Sequence, residues 1–181
     1  KTPIPGANDG ASGVAVLLEL ANIMNQHPPP KGVDIVLFDG EDMGRRGDLD
    51  SYCIGSKYFA ENIGSSKPEY AIVLDMVGDA FLEIPMERYS YEKNPELVNM
   101  VWKAAEKAGI KQFKRYLGQY VYDDHIRLIE YAEIKAVDII DFSYPDRSNR
   151  YWHTQQDTPD KCSPESLEAV GKLVLELIYN Y

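Results

Sequence analysis

Three short runs of β-branched and aliphatic residues, at 33–38, 70–77 and 135–141, lead into or end on carboxylates. This repeated pattern limits the folds open to the chain more than any other feature. Nearly continuous apolar runs of that length read as strands buried on both faces, the habit of parallel strands in α/β proteins. Glu41 and Asp42 follow the first run and Asp75 lies in the second, so they fall at carboxyl ends of strands, where such sheets carry their sites. Helical periodicity fills the intervals. Val14, Leu17, Leu18 and Ala21 share a face in a helix over 13–25, with Ser12 placed to cap it. Asn94 and Pro95 open a second helix that runs to 109, and Ser163 and Pro164 open a third to 179. Polar loops are expected near 43–50, 64–69 and 143–150. The architecture implied is an α/β three-layer sandwich, a central twisted mixed β-sheet flanked by helices, in a single domain over 1–181.

Composition narrows the function classes. With 44% hydrophobic residues among 181, the chain can bury a core of its own. Nineteen basic against 29 acidic residues give a net charge of −10, which repels nucleic acid, and no basic cluster is longer than Arg45-Arg46. The longest mainly apolar stretch, 13–24, is interrupted by Glu19 and Asn22 and is too short to span a bilayer. Two cysteines, Cys53 and Cys162, permit one bridge at most and read as small buried residues. The opening at 1–5 has no initiator Met and runs straight into a Gly-rich loop, which reads as an N-terminally incomplete fragment.

Four elements place polar side chains of ligand type in loops: 6–13 around Asp9, 39–42 with Glu41 and Asp42, 122–125 with Asp123, Asp124 and His125, and 151–154 with Trp152 and His153. Singly, each has an ordinary role. Asp9-Gly10 is a common turn pair, Glu41 and Asp42 are solvated loop charges, and His153 is a loop histidine. His125 bonds a helix end, and Tyr116, Tyr120 and Tyr122 pack in the core or at its rim. Together they read differently. One strand-end crevice can collect Asp9, Glu41, Asp42, Asp75, Asp123, Asp124 and His153, and carboxylates so crowded repel one another unless a cation neutralises them. Carboxylate oxygens with one imidazole nitrogen, three protein ligands and an open position, are the pattern of a catalytic zinc.

The set Gly-Ala-Asn-Asp9-Gly-Ala-Ser-Gly, Phe-Asp-Gly-Glu41-Asp42, Leu-Asp75-Met-Val-Gly, Asp123-Asp124-His125 and Trp152-His153-Thr154 with Asp157 following resembles the zinc aminopeptidase-like superfamily. The closer resemblance is to its bacterial-type glutaminyl cyclases (glutaminyl-peptide cyclotransferases). It runs in order from about Gly6 to the last helix. It implies that Asp9, Asp42 and His153 bind one zinc, that Glu41 is the general acid/base, that Asp75 and Asp123 form a hydrogen-bonded carboxylate pair beside it, and that Trp152 walls the substrate pocket. The implied reaction is cyclisation of N-terminal glutamine of peptides or proteins to pyroglutamate with loss of ammonia, by an exported, periplasmic or extracellular enzyme. Two departures stand out: Asp42 replaces the Glu of the animal enzymes, and Arg45-Arg46-Gly47 replaces a second pocket Trp.

The runner-up is an aminopeptidase of the same superfamily with two zinc ions, in which Asp9 bridges and Asp75 becomes a ligand. A third reading is an inactive peptide-binding domain, which would have lost a ligand or the acid/base.

Overall fold

The computed structural model describes residues 2–181; Lys1, the first residue of the expected fragment start, lies outside them. Its helices are α1 (Ala11–Gln26), α2 (Ile54–Asn62), α3 (Arg88–Lys93), α4 (Pro95–Lys107), α5 (Asp124–Ala132) and α6 (Pro164–Asn180). Its strands are β1 (Tyr70–Asp75), β2 (Ile84–Met86), β3 (Phe113–Leu117) and β4 (Lys135–Ile140). Strand β1 runs parallel to β4 with Tyr70 opposite Lys135 and Asp75 opposite Ile140. Strand β2 runs parallel to β3, with an irregularity between Pro85 and Met86.

The layers follow from the alternation along β4. Val137 and Ile139 point into the large core formed with Val16 and Leu20 of α1, Val98 and Trp102 of α4, and Leu173 and Leu177 of α6. Ala136 faces the other way, onto Leu128 and Ala132 of α5 and Ala60 of α2. Helices therefore cover both faces of the β1–β4 pair, and the three-layer α/β architecture read from the sequence is the one observed. Among the described residues no helix is long and apolar enough to cross a membrane.

The residues expected as a strand at 33–38 form none. A β-branched run becomes a strand only where a neighbour takes its backbone groups, and no described segment pairs with this one. Between it and the free edge of β1 lies a groove of about 910 Å³, lined by Leu17 and Met24 of α1, by Ile35 and Leu37, and by Ile72 and Leu74 of β1. Leu37 is accordingly 60% exposed. The loop that follows still delivers Glu41 and Asp42 to the end of the strands.

Two caps differ from expectation. Helix α1 begins one residue before Ser12, which lies inside it and makes no cap; its hydroxyl donates to Asn8 O at 2.6 Å and accepts from Val77 N at 3.0 Å. Asn94 precedes α4 without capping it and donates to Ala136 O at 3.2 Å. Ser163 caps α6 as expected, accepting from Ser166 N at 3.1 Å.

Helix α1 lies so close to β1 that only glycine fits at their contact. A Cβ on Gly13 would sit 2.2 Å from Leu74 O. In α6 the opposite holds, since a Cβ on Gly171 would find its nearest neighbour, Val16 Cγ1, at 3.9 Å. Gly13→Ala should therefore lower stability by about 1–3 kcal/mol through overpacking. Gly171→Ala should raise it by about 0.5–1 kcal/mol through helix propensity. Thermal or urea unfolding of the two variants checks both signs.

Candidate metal centre

Asp9 is presented by a knotted loop. Ala11 N donates to Gly6 O at 3.1 Å, closing the turn, with Gly6 at φ 65° and Gly10 at φ 94°, values glycine adopts without cost. Asn8 Oδ1 accepts from Gly78 N at 2.7 Å, which ties the loop to the segment after β1. The fully buried Asp157 completes the knot: its Oδ1 accepts from Asn8 N at 2.8 Å and from the Tyr144 hydroxyl at 2.8 Å, and its Oδ2 accepts from Asp9 N at 3.1 Å. Asp157 belongs to the turn that carries His153, so one carboxylate fixes the distance between the loops that bear two candidate ligands.

His153 sits at φ 56°, an unusual backbone for a non-glycine residue, in a turn closed by Thr154 N to Tyr151 O at 3.2 Å. Its Nε2 lies 3.2 Å from Asp9 Oδ2 and 3.0 Å from Asp42 Oδ2. Ligand bonds of about 2.0–2.1 Å in a tetrahedral zinc site place ligand atoms about 3.3 Å apart. The donor set and its spacing fit one zinc ion, and the shorter Asp42 reaches the cluster. Trp152 stacks on the His153 ring, centroids 4.0 Å apart and planes 25° from parallel, and meets Phe142 edge-on at 5.1 Å. It thereby orients the imidazole as well as standing beside the site.

The remaining acidic residues gather behind this triad. Burial, then the charge of Asp123 and of Asp42, pushes Glu41 up to about 9. Burial, offset by His153 and reinforced by Asp42, pushes Asp9 up to about 6. Asp75, at the end of β1, is held well above the ordinary carboxylate range by burial and by Asp123. Asp75 and Asp123 lie close enough for the charge of Asp123 to act on Asp75. Asp123 caps α5, its Oδ1 accepting from Asp124 N at 2.5 Å, and its Oδ2 is buried without a partner. Asp75 joins no group of three ligand-type atoms lying within 4.8 Å of one another among the described residues, whereas Asp9, Asp42 and His153 form one.

Three features escaped the sequence reading besides the Asp157 knot. Cys53 is buried with its thiol on Glu41, and both cysteines are free. His125, in the first turn of α5, is wholly buried with Nε2 3.2 Å from Glu87 Oε2 and Nδ1 3.9 Å from Asp138 Oδ2. Glu87 caps α3 and also receives Ser90 N at 2.6 Å and Val121 N at 3.0 Å. Burial alone would raise Glu87, but the bonds from His125 and these amides hold it below its ordinary range. The tyrosines sit at the rim: Tyr116 donates to Glu83, Tyr120 to Glu92, and Tyr122 lies against the Arg127 guanidinium at 5.3 Å. The contacts of Cys53 with Glu41, of His125 with Glu87 and of Tyr116 and Tyr120 with their glutamates have no local sequence signal, because each joins separate segments of the chain.

The family model for Peptidase family M28 matches residues 1–178. The chain belongs to this family. Among curated relatives, the aminopeptidase YwaD of Bacillus subtilis (strain 168) is 28% identical over 194 residues, which cover 97% of this chain and 37% of that protein. A solved leucine aminopeptidase precursor from Bacteroides thetaiotaomicron VPI-5482 superposes with a TM-score of 0.93 at 41% identity, covering 99% of this chain and 64% of its own. A solved glutaminyl cyclase from Bacteroides thetaiotaomicron superposes at 0.92 with 41% identity, covering 99% of this chain and 65% of its own. Further solved neighbours are bacterial glutaminyl cyclases as well. The chain thus spans just under two thirds of these solved structures and a smaller part of the curated aminopeptidase. Fold and family are those of the zinc aminopeptidase-like superfamily, in company with bacterial glutaminyl cyclases.

Each raised carboxyl keeps a proton in the folded chain that the unfolded chain has already released, so its contribution to stability falls as pH climbs toward the folded value. Asp9 at about 6 and Asp124 at about 7, both raised chiefly by burial, place that loss between about pH 4 and 7, and Glu41 at about 9 carries it on through pH 8. Glu87 works oppositely, and its contribution is already complete above its ordinary value, so it adds no slope there. In chelator-treated protein the melting temperature should fall from pH 5 to pH 8. Zinc should restore it by an amount that grows with pH, since the metal takes deprotonated ligands. A zinc-induced shift independent of pH would count against this charge balance.

Proposed function

We propose that the protein is a zinc-dependent glutaminyl-peptide cyclotransferase that converts N-terminal glutamine of peptides to pyroglutamate. The observation that carries this reading is the convergent triad of Asp9, Asp42 and His153, with Asp75 in no such group among the described residues and held instead among protonatable neighbours. The solved glutaminyl cyclases at high structural likeness support the same reading. The curated aminopeptidase and the solved leucine aminopeptidase precursor support the runner-up, a metallo-aminopeptidase.

Asp9, Asp42 and His153 would hold the zinc. In such a site the ion supplies a Lewis acid for the side-chain carbonyl of the substrate glutamine. The chain's own residues manage protons. The substrate's α-amine must lose a proton as its nitrogen bonds to the amide carbon, and the departing amide nitrogen must gain one as the old C–N bond breaks. Glu41, beside Asp42 and in reach of Cys53 and Asp123, can accept the first proton and return it to the second nitrogen, so ammonia leaves and the carboxylate is regenerated. Burial, Asp123 and Asp42 raise the proton affinity of Glu41, and a divalent cation beside Asp42 would act the other way. Trp152, locked against His153 and Phe142, offers a rigid aromatic surface against which the glutamine side chain folds back on its own amine.

Glu41→Gln preserves shape and removes the base. Bound zinc should be unchanged while ammonia release from a Gln-initiated peptide drops roughly 10²–10⁴-fold. Activity within a few fold of the parent would assign the proton to another group, and release of free amino acid from Leu-initiated peptides would favour the aminopeptidase.

A further inference from the structure

The mechanism leaves Cys53 unused, although it is completely buried and lies against the proposed acid/base. Its Sγ is 3.6 Å from Glu41 Oε1, a hydrogen-bonding distance for sulfur. Sulfur, the Glu41 carboxylate and the Asp123 carboxylate lie within 4.8 Å of one another, and Asp123 Oδ2 is buried there without a partner. No lysine, arginine or hydroxyl bonds Glu41 among the described residues. We propose that Cys53 is a positioning residue: its thiol holds the Glu41 carboxylate at the angle that proton transfer requires. The proposal rests on Glu41 being the proton carrier, and it holds for cyclase and aminopeptidase alike.

The backbone around Cys53 is built for this contact. Three successive amides answer three successive carbonyls of the acidic loop: Cys53 N to Glu41 O at 2.9 Å, Ile54 N to Gly40 O at 3.4 Å and Gly55 N to Asp39 O at 3.1 Å. The approach is so close that a Cβ on Gly55 would lie 2.3 Å from Asp39 O, and one on Gly40, at φ 66°, 2.6 Å from Ile54 Cγ1. Behind the loop the buried Arg127 donates to Leu49 O at 2.9 Å and Tyr52 O at 3.1 Å, fixing the chain just before Cys53. Cys53 itself is left-handed, at φ 53° and ψ 44°, a conformation a cysteine adopts at a cost that glycine or asparagine would avoid. Turning the Cβ this way is what aims the thiol at Glu41. Burial and the neighbouring carboxylates push the thiol far up, so it stays protonated, a donor rather than a nucleophile or thiolate ligand.

A thiol donor is the milder choice at this place. A guanidinium or ammonium would hold the carboxylate in its charged form and weaken it as a base. The weak S–H bond constrains direction while leaving both protonation states within reach.

Cys53→Ala and Cys53→Ser, each with a Cβ at the same strained position, separate the hydrogen bond from the packing. In the zinc-loaded protein, Ala should lower kcat about tenfold, the worth of one such hydrogen bond, with KM, zinc content and melting temperature close to those of the parent. Ser keeps a donor and should recover most of that loss. In a Glu41→Gln background, Cys53→Ala should cost nothing further. Equal losses for Ala and Ser, no loss for either, or the same loss in both backgrounds would overturn the proposal. Survival of activity in Glu41→Gln alone would instead remove the reading of Glu41, and the role of Cys53 with it. If the protein cuts Leu-initiated peptides rather than cyclising Gln-initiated ones, the same comparison is read on that turnover.

Discussion

Mutual repulsion among carboxylates governs this molecule. Asp9, Glu41, Asp42, Asp75, Asp123 and Asp124 converge on one strand-end crevice, with Asp138 just behind, and among the described residues no lysine or arginine bonds Asp9, Glu41, Asp42 or Asp123; Arg127 donates to the carbonyls of Leu49 and Tyr52. Only two imidazoles, His153 in front and His125 behind, enter the cluster. Such an arrangement is costly unless protons or a cation balance it. The raised proton affinities of Asp9, Glu41, Asp75 and Asp124 reflect that cost, and a cation held by the three converging atoms at the mouth would relieve it.

The surrounding structure withstands the repulsion through backbone ties. Asp157 spends its carboxylate on two amides and a tyrosine hydroxyl, locking the Asp9 loop to the His153 turn. The 53–55 amides grip 39–41, Glu87 gathers amides and His125, and Asp123 caps α5. Asp157, Glu87 and Asp123 thus use side-chain oxygens as acceptors for backbone N–H groups, which satisfies both. Residues of the site are thus preorganised by elements reaching from α1 to the turn before α6, and preorganisation is what a group meant to move protons or fix a metal requires.

Much of this was legible in the sequence because it is local. Helices α1, α4 and α6 follow from apolar spacing and Pro placement, and strands β1 and β4 from their β-branched runs. The carboxylates at strand ends pointed to the crevice, and the ordered set from Asp9 to His153 pointed to the family. What was missed depends on pairing at a distance. The run 33–38 has strand propensity but no described partner, so propensity alone could not make it a strand. Ser12 and Asn94 have capping chemistry, yet Val77 N and Ala136 O, far away in sequence, claim their side chains. Cys53 looked like an ordinary buried residue and His125 like a partner for a helix end, because nothing in their own segments announces the carboxylates they meet.

The central claim is that one cation, held by Asp9, Asp42 and His153, balances this cluster and leaves Glu41 and Asp75 free of metal. Anomalous diffraction from crystals of the zinc-loaded protein tests it most directly. The account predicts one zinc peak per chain, bound by two carboxylate oxygens and one imidazole nitrogen at about 2.0–2.2 Å. Two peaks bridged by Asp9, with Asp75 bound to the second, would contradict it.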